Sequence, residues 1–246
     1  MSTVAVNSQD KEQQKVAIVV AGGSGIGAAC VRELATCGWR VVALSPSGRA
    51  RDLAESLGGA GVVGANTNVE DLRATVNLAI EKFGRIDAVI NNSGHAARLP
   101  LLELSDEDWL HGMNLYLLNV IRMTRIVTPH LLALGGGSIV NISTAGAFEP
   151  NRMFPVSTTL RAALGSFTKI FADEYGPQGI RMNNVLPGFT KEDPSAVPPE
   201  WTSKIPLRRA QSTAELARVV RFLASDESAY ITGQNLRVDG GETRSV

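Results

Sequence analysis

The sequence predicts an α/β fold: a doubly wound, parallel, seven-stranded sheet with helices on both faces. Three observations carry that expectation. Runs rich in valine and isoleucine alternate along the chain with longer segments of helical period, as strands and crossover helices do. These runs are apolar at nearly every position, which implies burial on both faces, and right-handed crossovers then wind the sheet both ways. A glycine-rich turn separates the first run from the first helical segment.

The elements follow in order. KVAIVV (15–20) is the first strand, and a helix at 25–37 follows its glycine turn. RVVAL (40–44) is the second, leading through a Ser-Pro-Ser-Gly turn into a helix at 49–58. GVVGAN (61–66) precedes a helix at 69–83, and DAVINN (87–92) precedes the longest helical segment, 105–134. SIVNIS (138–143) leads to a helix at 155–175, and IRMNNVLP (180–187) to a helix at 212–225 before the last strand, NLRVDG (235–240). The stretch TKEDPSAVPPEWTSKIP (190–206) carries four prolines and breaks the alternation, so it reads as a mobile lid on the substrate side.

Bulk properties exclude several function classes. The chain has 246 residues, with 24 Lys+Arg against 24 Asp+Glu, so no basic excess exists to hold a phosphate backbone. Nucleic acid is not an expected partner. Residues 1–14 form a polar tail without the apolar core of a signal peptide, and residues 15–246 are read as one domain. No apolar stretch reaches the roughly 18 residues of a membrane span, so a cytoplasmic protein is expected. Cys30 and Cys37, seven residues apart on one expected helix, read as two buried thiols in a reducing compartment rather than as a disulfide or metal site. The Trp and Phe residues are read as core.

The turn AGGSGIGAACVREL joins a strand to a helix N-terminus. Glycines there let the backbone approach a pyrophosphate, while the free N–H groups and the helix dipole attract its charge. With INNSG (90–94), SIVNIST (138–144), RAALGSFTKIFADEYGPQGIRMNNVLPG and the ending FLASDESAYITGQNLRVDGG, this makes the chain resemble the short-chain dehydrogenase/reductases in their compact, single-domain, Rossmann-type branch. The resemblance covers nearly the whole chain. It implies a nicotinamide nucleotide at the carboxyl ends of the strands, interconversion of alcohols and carbonyls, and usually a homotetramer. It implies nucleotide contacts from Gly25, Ile26, Gly27, Ser45, Asn68, Asn91 and Gly94. Ser45, Ser47 and Arg49 stand where NAD-dependent members carry an acidic residue, which favours NADP(H) if a nucleotide binds.

Departures from the family pattern are numerous. Its first threonine and glycine fall on Val20 and Ala21, and a threonine that commonly meets the cofactor is Glu192, whose carboxylate would repel phosphate. At the catalytic positions, the helix asparagine is Tyr116, the serine is Thr144, the tyrosine is Ser157 and the lysine is Arg161. An alkyl hydroxyl has a pKa on the order of 15, against about 10 for a phenol, so Ser157 would need around 7 kcal/mol of extra stabilisation to replace tyrosine. Tyr116 or His95 could act as a relocated proton donor.

The expectation is a family member without its own catalysis, a structural subunit paired with an intact sibling in an NAD(P)-dependent dehydrogenase of the hydroxyacyl-CoA type. Two alternatives stay open: an active NADP(H)-dependent carbonyl reductase using Tyr116 or His95, and a nucleotide-binding sensor. An active enzyme would take a small carbonyl or alcohol substrate. No metal site is expected.

Overall fold

A computed structural model describes residues 14–245. Apart from Gln14, the polar tail and its reading as no signal peptide lie outside the described residues.

The chain runs β1 (Val16–Val20), α1 (Gly25–Thr36), β2 (Arg40–Ser45), α2 (Arg49–Ser56), β3 (Ala60–Val63), α3 (Val69–Phe83) and β4 (Ala88–Asn91). It continues through α4 (Asp106–Met113), a π-helical turn (Asn114–Leu118), α5 (Asn119–Leu134), β5 (Gly137–Ile142), α6 (Pro155–Tyr175) and β6 (Ile180–Pro187). Two short strands, β7 (Thr190–Lys191) and β8 (Gln211–Ser212), then precede α7 (Thr213–Ala224) and β9 (Asn235–Val238).

Local chemistry sets the helix ends. The Asn68 side chain caps α3 by accepting from the Glu70 N–H, and Gly84, at φ 76°, closes it in the left-handed conformation. Reciprocal capping boxes start α4 (Ser105 with Asp108) and α7 (Ser212 with Glu215). Pro155 occupies the first turn of α6, where its missing N–H costs nothing.

The helix expected at 105–134 is interrupted, because one turn is π-helical. Asn114, at its start, donates to the Leu110 carbonyl at 3.1 Å and accepts from Arg122 at 2.9 Å, while Arg122 also reaches the Thr67 carbonyl at 3.0 Å. These polar ties, of which only the one to Thr67 is long-range, leave no trace in hydrophobic period. Strands β3, β4 and β9 each end earlier than expected.

The seven long strands form one parallel sheet in the order β3-β2-β1-β4-β5-β6-β9, and the order reverses between β1 and β4. A crevice therefore opens at their carboxyl ends, where open α/β sheets take ligands. One face is packed by α1 and α7 through Val31, Leu34, Leu216 and Val220, the other by α3, α5 and α6 through Leu72, Val76, Met123 and Phe171.

Register places Asn91, Asn141, Asn184 and Asn235 directly beside one another on β4, β5, β6 and β9. Their amides form a chain across the sheet: Asn91 donates to Asn141 at 2.9 Å, Asn141 to Asn184 at 2.9 Å, and Asn184 to Asn235 at 2.7 Å. Thr168 on α6 donates to Asn184 as well, at 2.9 Å. This network couples the strand ends under the crevice to the helix that lies over them.

Several expectations need correction. Cys30 is buried, but Cys37 is the residue that ends α1 and is exposed, since the helix stops one residue short of it. Phe148, Phe154 and Trp201 are exposed rather than core, since they stand at the ends of 3₁₀ turns and of α6 and not on a face packed against the sheet. Within the segment at 190–206, read as a mobile substrate-side loop or lid, β7 pairs in parallel with β8, and 3₁₀ turns follow at Pro194–Ala196 and Pro199–Trp201.

Candidate functional site

The glycine turn forms as a close approach of helix to strand. A Cβ on Gly27 would lie 2.1 Å from the Ala21 carbonyl oxygen, so only glycine lets α1 start this near β1. Ala21 itself takes φ 52°, a left-handed conformation at the position where the resembled motif has glycine. Asn92 donates to the Ala21 carbonyl at 3.2 Å, joining the end of β4 to the turn.

At the N-terminus of α1, the Ser24 side chain makes no cap. The Gly25 N–H instead donates to Oε1 of Glu192, at 2.8 Å. The chain's own carboxylate thus sits where free N–H groups and the helix dipole would attract a phosphate. Glu192 comes to this place because β7, just before it, is anchored to β8.

The second strand's turn offers less than expected. Ser45 is buried and accepts from the Ala50 N–H at 3.0 Å, so its hydroxyl serves the start of α2 rather than a ribose phosphate. Arg49 donates to Ser47 at 3.2 Å, and both are exposed. Asn68, exposed, spends its oxygen on the α3 cap. Asn91 is buried and donates into the sheet, with no partner for its own oxygen. Ile26 is half-buried, and Gly94 is exposed with open space around it.

Four side chains stand where the family resemblance puts the catalytic residues. Arg161 on α6 is 7% exposed, and its guanidinium donates to the Ile142 carbonyl at the end of β5 and to Ser93 Oγ, the latter at 2.8 Å. Its Cζ lies 4.4 Å from the centroid of the Tyr116 ring, a cation–π contact. Burial pulls the guanidinium down to about 10, against its ordinary 12.5, with the nearby Tyr116 phenol opposing the fall.

Tyr116 sits in the π turn, 3% exposed, and its phenol oxygen accepts from the Ala96 N–H at 2.7 Å. Thr144 accepts from the Gly146 N–H at 3.3 Å. Ser157 is half-buried and makes no hydrogen bond with Arg161 among the described residues, since the guanidinium reaches past it to β4 and β5. His95 is exposed on the loop after β4; burial of part of its ring, then Arg98 and Arg161, push its pKa below the ordinary 6.5.

Sequence reading missed Ser93 and the Ile142 carbonyl, the two acceptors of Arg161, and Ala96, the donor to Tyr116. INNSG pointed at the asparagine and glycine of that turn, but no local signal marks its serine as an arginine's partner.

A pyrophosphate at this turn would compete with the Glu192 carboxylate for the Gly25 N–H, and the two would repel one another. No acid–base pair of the phenol–ammonium kind is present at the catalytic positions. Among the described residues no cluster of His, Cys, Asp and Glu could hold a metal, and no helix is long and apolar enough to cross a membrane.

Comparison with known proteins agrees with the topology. The family profile described as enoyl-(acyl carrier protein) reductase matches residues 20–243. The chain is 34% identical to the 3-oxoacyl-(acyl-carrier-protein) reductase FabG of Thermotoga maritima, covering 92% of this chain and 97% of that protein. It is 32% identical to the oxidoreductase UcpA of Escherichia coli K12, over 93% of this chain and 94% of that one. It is also 32% identical to the trans-4-hydroxycyclohexanecarboxylate dehydrogenase of Sinomonas cyclohexanicum, over 95% of each.

Proposed function

The chain belongs to the short-chain dehydrogenase/reductase family of oxidoreductases, and on that premise we propose that it is a subunit without its own hydride-transfer chemistry, assembled with an intact family member. The observation that carries this reading is the hydrogen bond from the Gly25 N–H to Glu192, which brings a carboxylate to the helix N-terminus where a phosphate would bind. The site supports it further. Ser157 in place of a phenol lacks an accessible pKa, and Arg161 donates to Ile142 and Ser93 and rests on Tyr116 instead of reaching Ser157. The relocated donors are less suited: the Tyr116 oxygen is buried and engaged by Ala96, and His95 lies exposed on its loop.

The names of the FabG relatives speak of 3-oxoacyl thioesters, which favours a hydroxyacyl thioester dehydrogenase as the partner's activity. Exposed apolar side chains on α4, α5 and α6, among them Leu110, Met113, Leu132 and Ile170, supply surface for such an assembly. Two free thiols, one of them exposed, fit a reducing cytoplasm. If the carboxylate is displaced, the exposed Ser47 and Arg49 favour NADP(H) over NAD.

Titration of the pure chain with NADPH and NADH, read by nicotinamide fluorescence, tests the reading. Absence of saturable binding and of carbonyl reduction is expected. Turnover with either nucleotide that disappears in Tyr116→Phe or His95→Ala overturns it.

A further inference from the structure

Arg161 is a buried cation without a counter-ion. Its partners are a carbonyl, a hydroxyl and an aromatic face, all neutral, and no carboxylate pairs with it among the described residues. Buried charges are normally paired, since neutral acceptors replace only part of the hydration lost. A guanidinium has five donors in a planar fork shaped for a carboxylate, and the two partners leave part of that fork unused.

The surroundings lack negative charge and are short of acceptors. The Ala96 N–H that reaches Tyr116 lies between His95 and Arg98 in sequence, and the charges of Arg98 and Arg161 both act on His95. Arg98 in turn lies with its Cζ 4.7 Å from the ring of Phe154, which stands at the N-terminus of α6, the positive end of that helix's dipole. Two hydroxyls near the same turn, Ser143 Oγ and Thr158 Oγ1, are more than nine-tenths buried and have no hydrogen-bond partner among the described residues. Thr158 stands beside Gly146, next to the Thr144 cap. The His95 imidazole is held below its ordinary pKa first by partial burial and then by the charges of Arg98 and Arg161. Around the rim, Leu99, Met153 and Phe154 are exposed.

We propose that the cleft between the ends of β4 and β5 and the first turns of α6 binds a small organic monocarboxylate, its carboxylate on Arg161 and its apolar body against the rim. The anion supplies the counter-charge that the chain withholds and offers acceptors to the orphaned hydroxyls. This site goes beyond the subunit reading and fails separately from it: one is read by carboxylate binding, the other by nucleotide binding.

The test uses the full chain with benzoate and cyclohexanecarboxylate as probes, and the matching amides, benzamide and cyclohexanecarboxamide, as neutral isosteres. In calorimetric titration at least one acid binds saturably and about tenfold or more tighter than its amide, the value of a charge-assisted bond. Arg161→Lys, which keeps the charge but not the fork, weakens the acid and leaves the amide unchanged. Arg161→Met abolishes the preference. In case the variants fold poorly, the side-chain ¹⁵N resonance of Arg161 in the wild-type protein shifts with the acid and not with the amide. Equal binding of acid and amide, acid binding that survives Arg161→Met, or no saturable response to either acid in titration and resonance alike overturns the proposal.

Discussion

The guanidinium carbon of Arg161 lies 4.4 Å from the centre of the Tyr116 ring, and the phenol oxygen of Tyr116 accepts from the Ala96 N–H at 2.7 Å. Tyr116 and Arg161 therefore form one packed unit. Tyr116 shields the cation from below and uses its oxygen to hold the loop after β4.

Tyr116→Phe keeps the ring under Arg161 and removes only the acceptor of the buried Ala96 N–H. It should cost roughly 1–3 kcal/mol, the penalty of an orphaned buried donor. For a chain of this size the melting temperature falls by a few degrees. Thermal unfolding followed by circular dichroism measures it, and an unchanged midpoint would show that the hydroxyl holds nothing.

Glu192→Thr removes the internal anion from α1. Affinity for NADPH should rise about tenfold or more, since a like charge beside the pyrophosphate is gone, while loss of the helix-end charge costs about 0.3–1 kcal/mol of stability. Fluorescence titration and thermal unfolding read the two effects, which should move in opposite directions.

Across the sheet, Asn141→Leu deprives Asn91 of its acceptor and Asn184 and Thr168 of a donor, all inside the core. Urea unfolding should show a loss on the order of 2–5 kcal/mol. Asn235→Leu, at the exposed edge of the same row, should cost about 1 kcal/mol. Equal losses would mean that the row acts as separate pairs.

Acid should weaken the start of α7 in a defined window. Hydrogen bonds from the Arg209 guanidinium and the Ser212 N–H hold the Glu215 carboxyl down to about 2, below its ordinary 4.5. A depressed carboxyl stabilises the fold above its unfolded pKa, and that contribution is lost as pH falls through the folded one. The stability difference between wild type and Glu215→Gln, about 1 kcal/mol for a solvent-screened pair within a capping box, should therefore be full near neutral pH and vanish between about pH 4.5 and pH 2.

Much of the architecture was legible in the chain because its signals are local. Apolar runs marked the seven long strands, Pro155 opened the helix that spans 155–175 as expected, and the glycine spacing placed the turn that only Gly27 can make. The π turn at Asn114 was not legible, since a single extra residue hardly disturbs the hydrophobic period and its ties run to Thr67 and Arg122.

The sequence by itself determined the sheet, its helices and which side chains stand at positions 116, 144, 157 and 161. The tertiary structure alone decided what those side chains touch. Glu192 meets Gly25 across 167 residues, Arg161 meets Ser93 across 68, and Tyr116 meets Ala96 across 20. Such partners are chosen by the order of strands in the sheet and the helices crossing it, which bring distant segments to one crevice. Helix and strand periods reach only a few residues along the chain, so they carry no record of that choice.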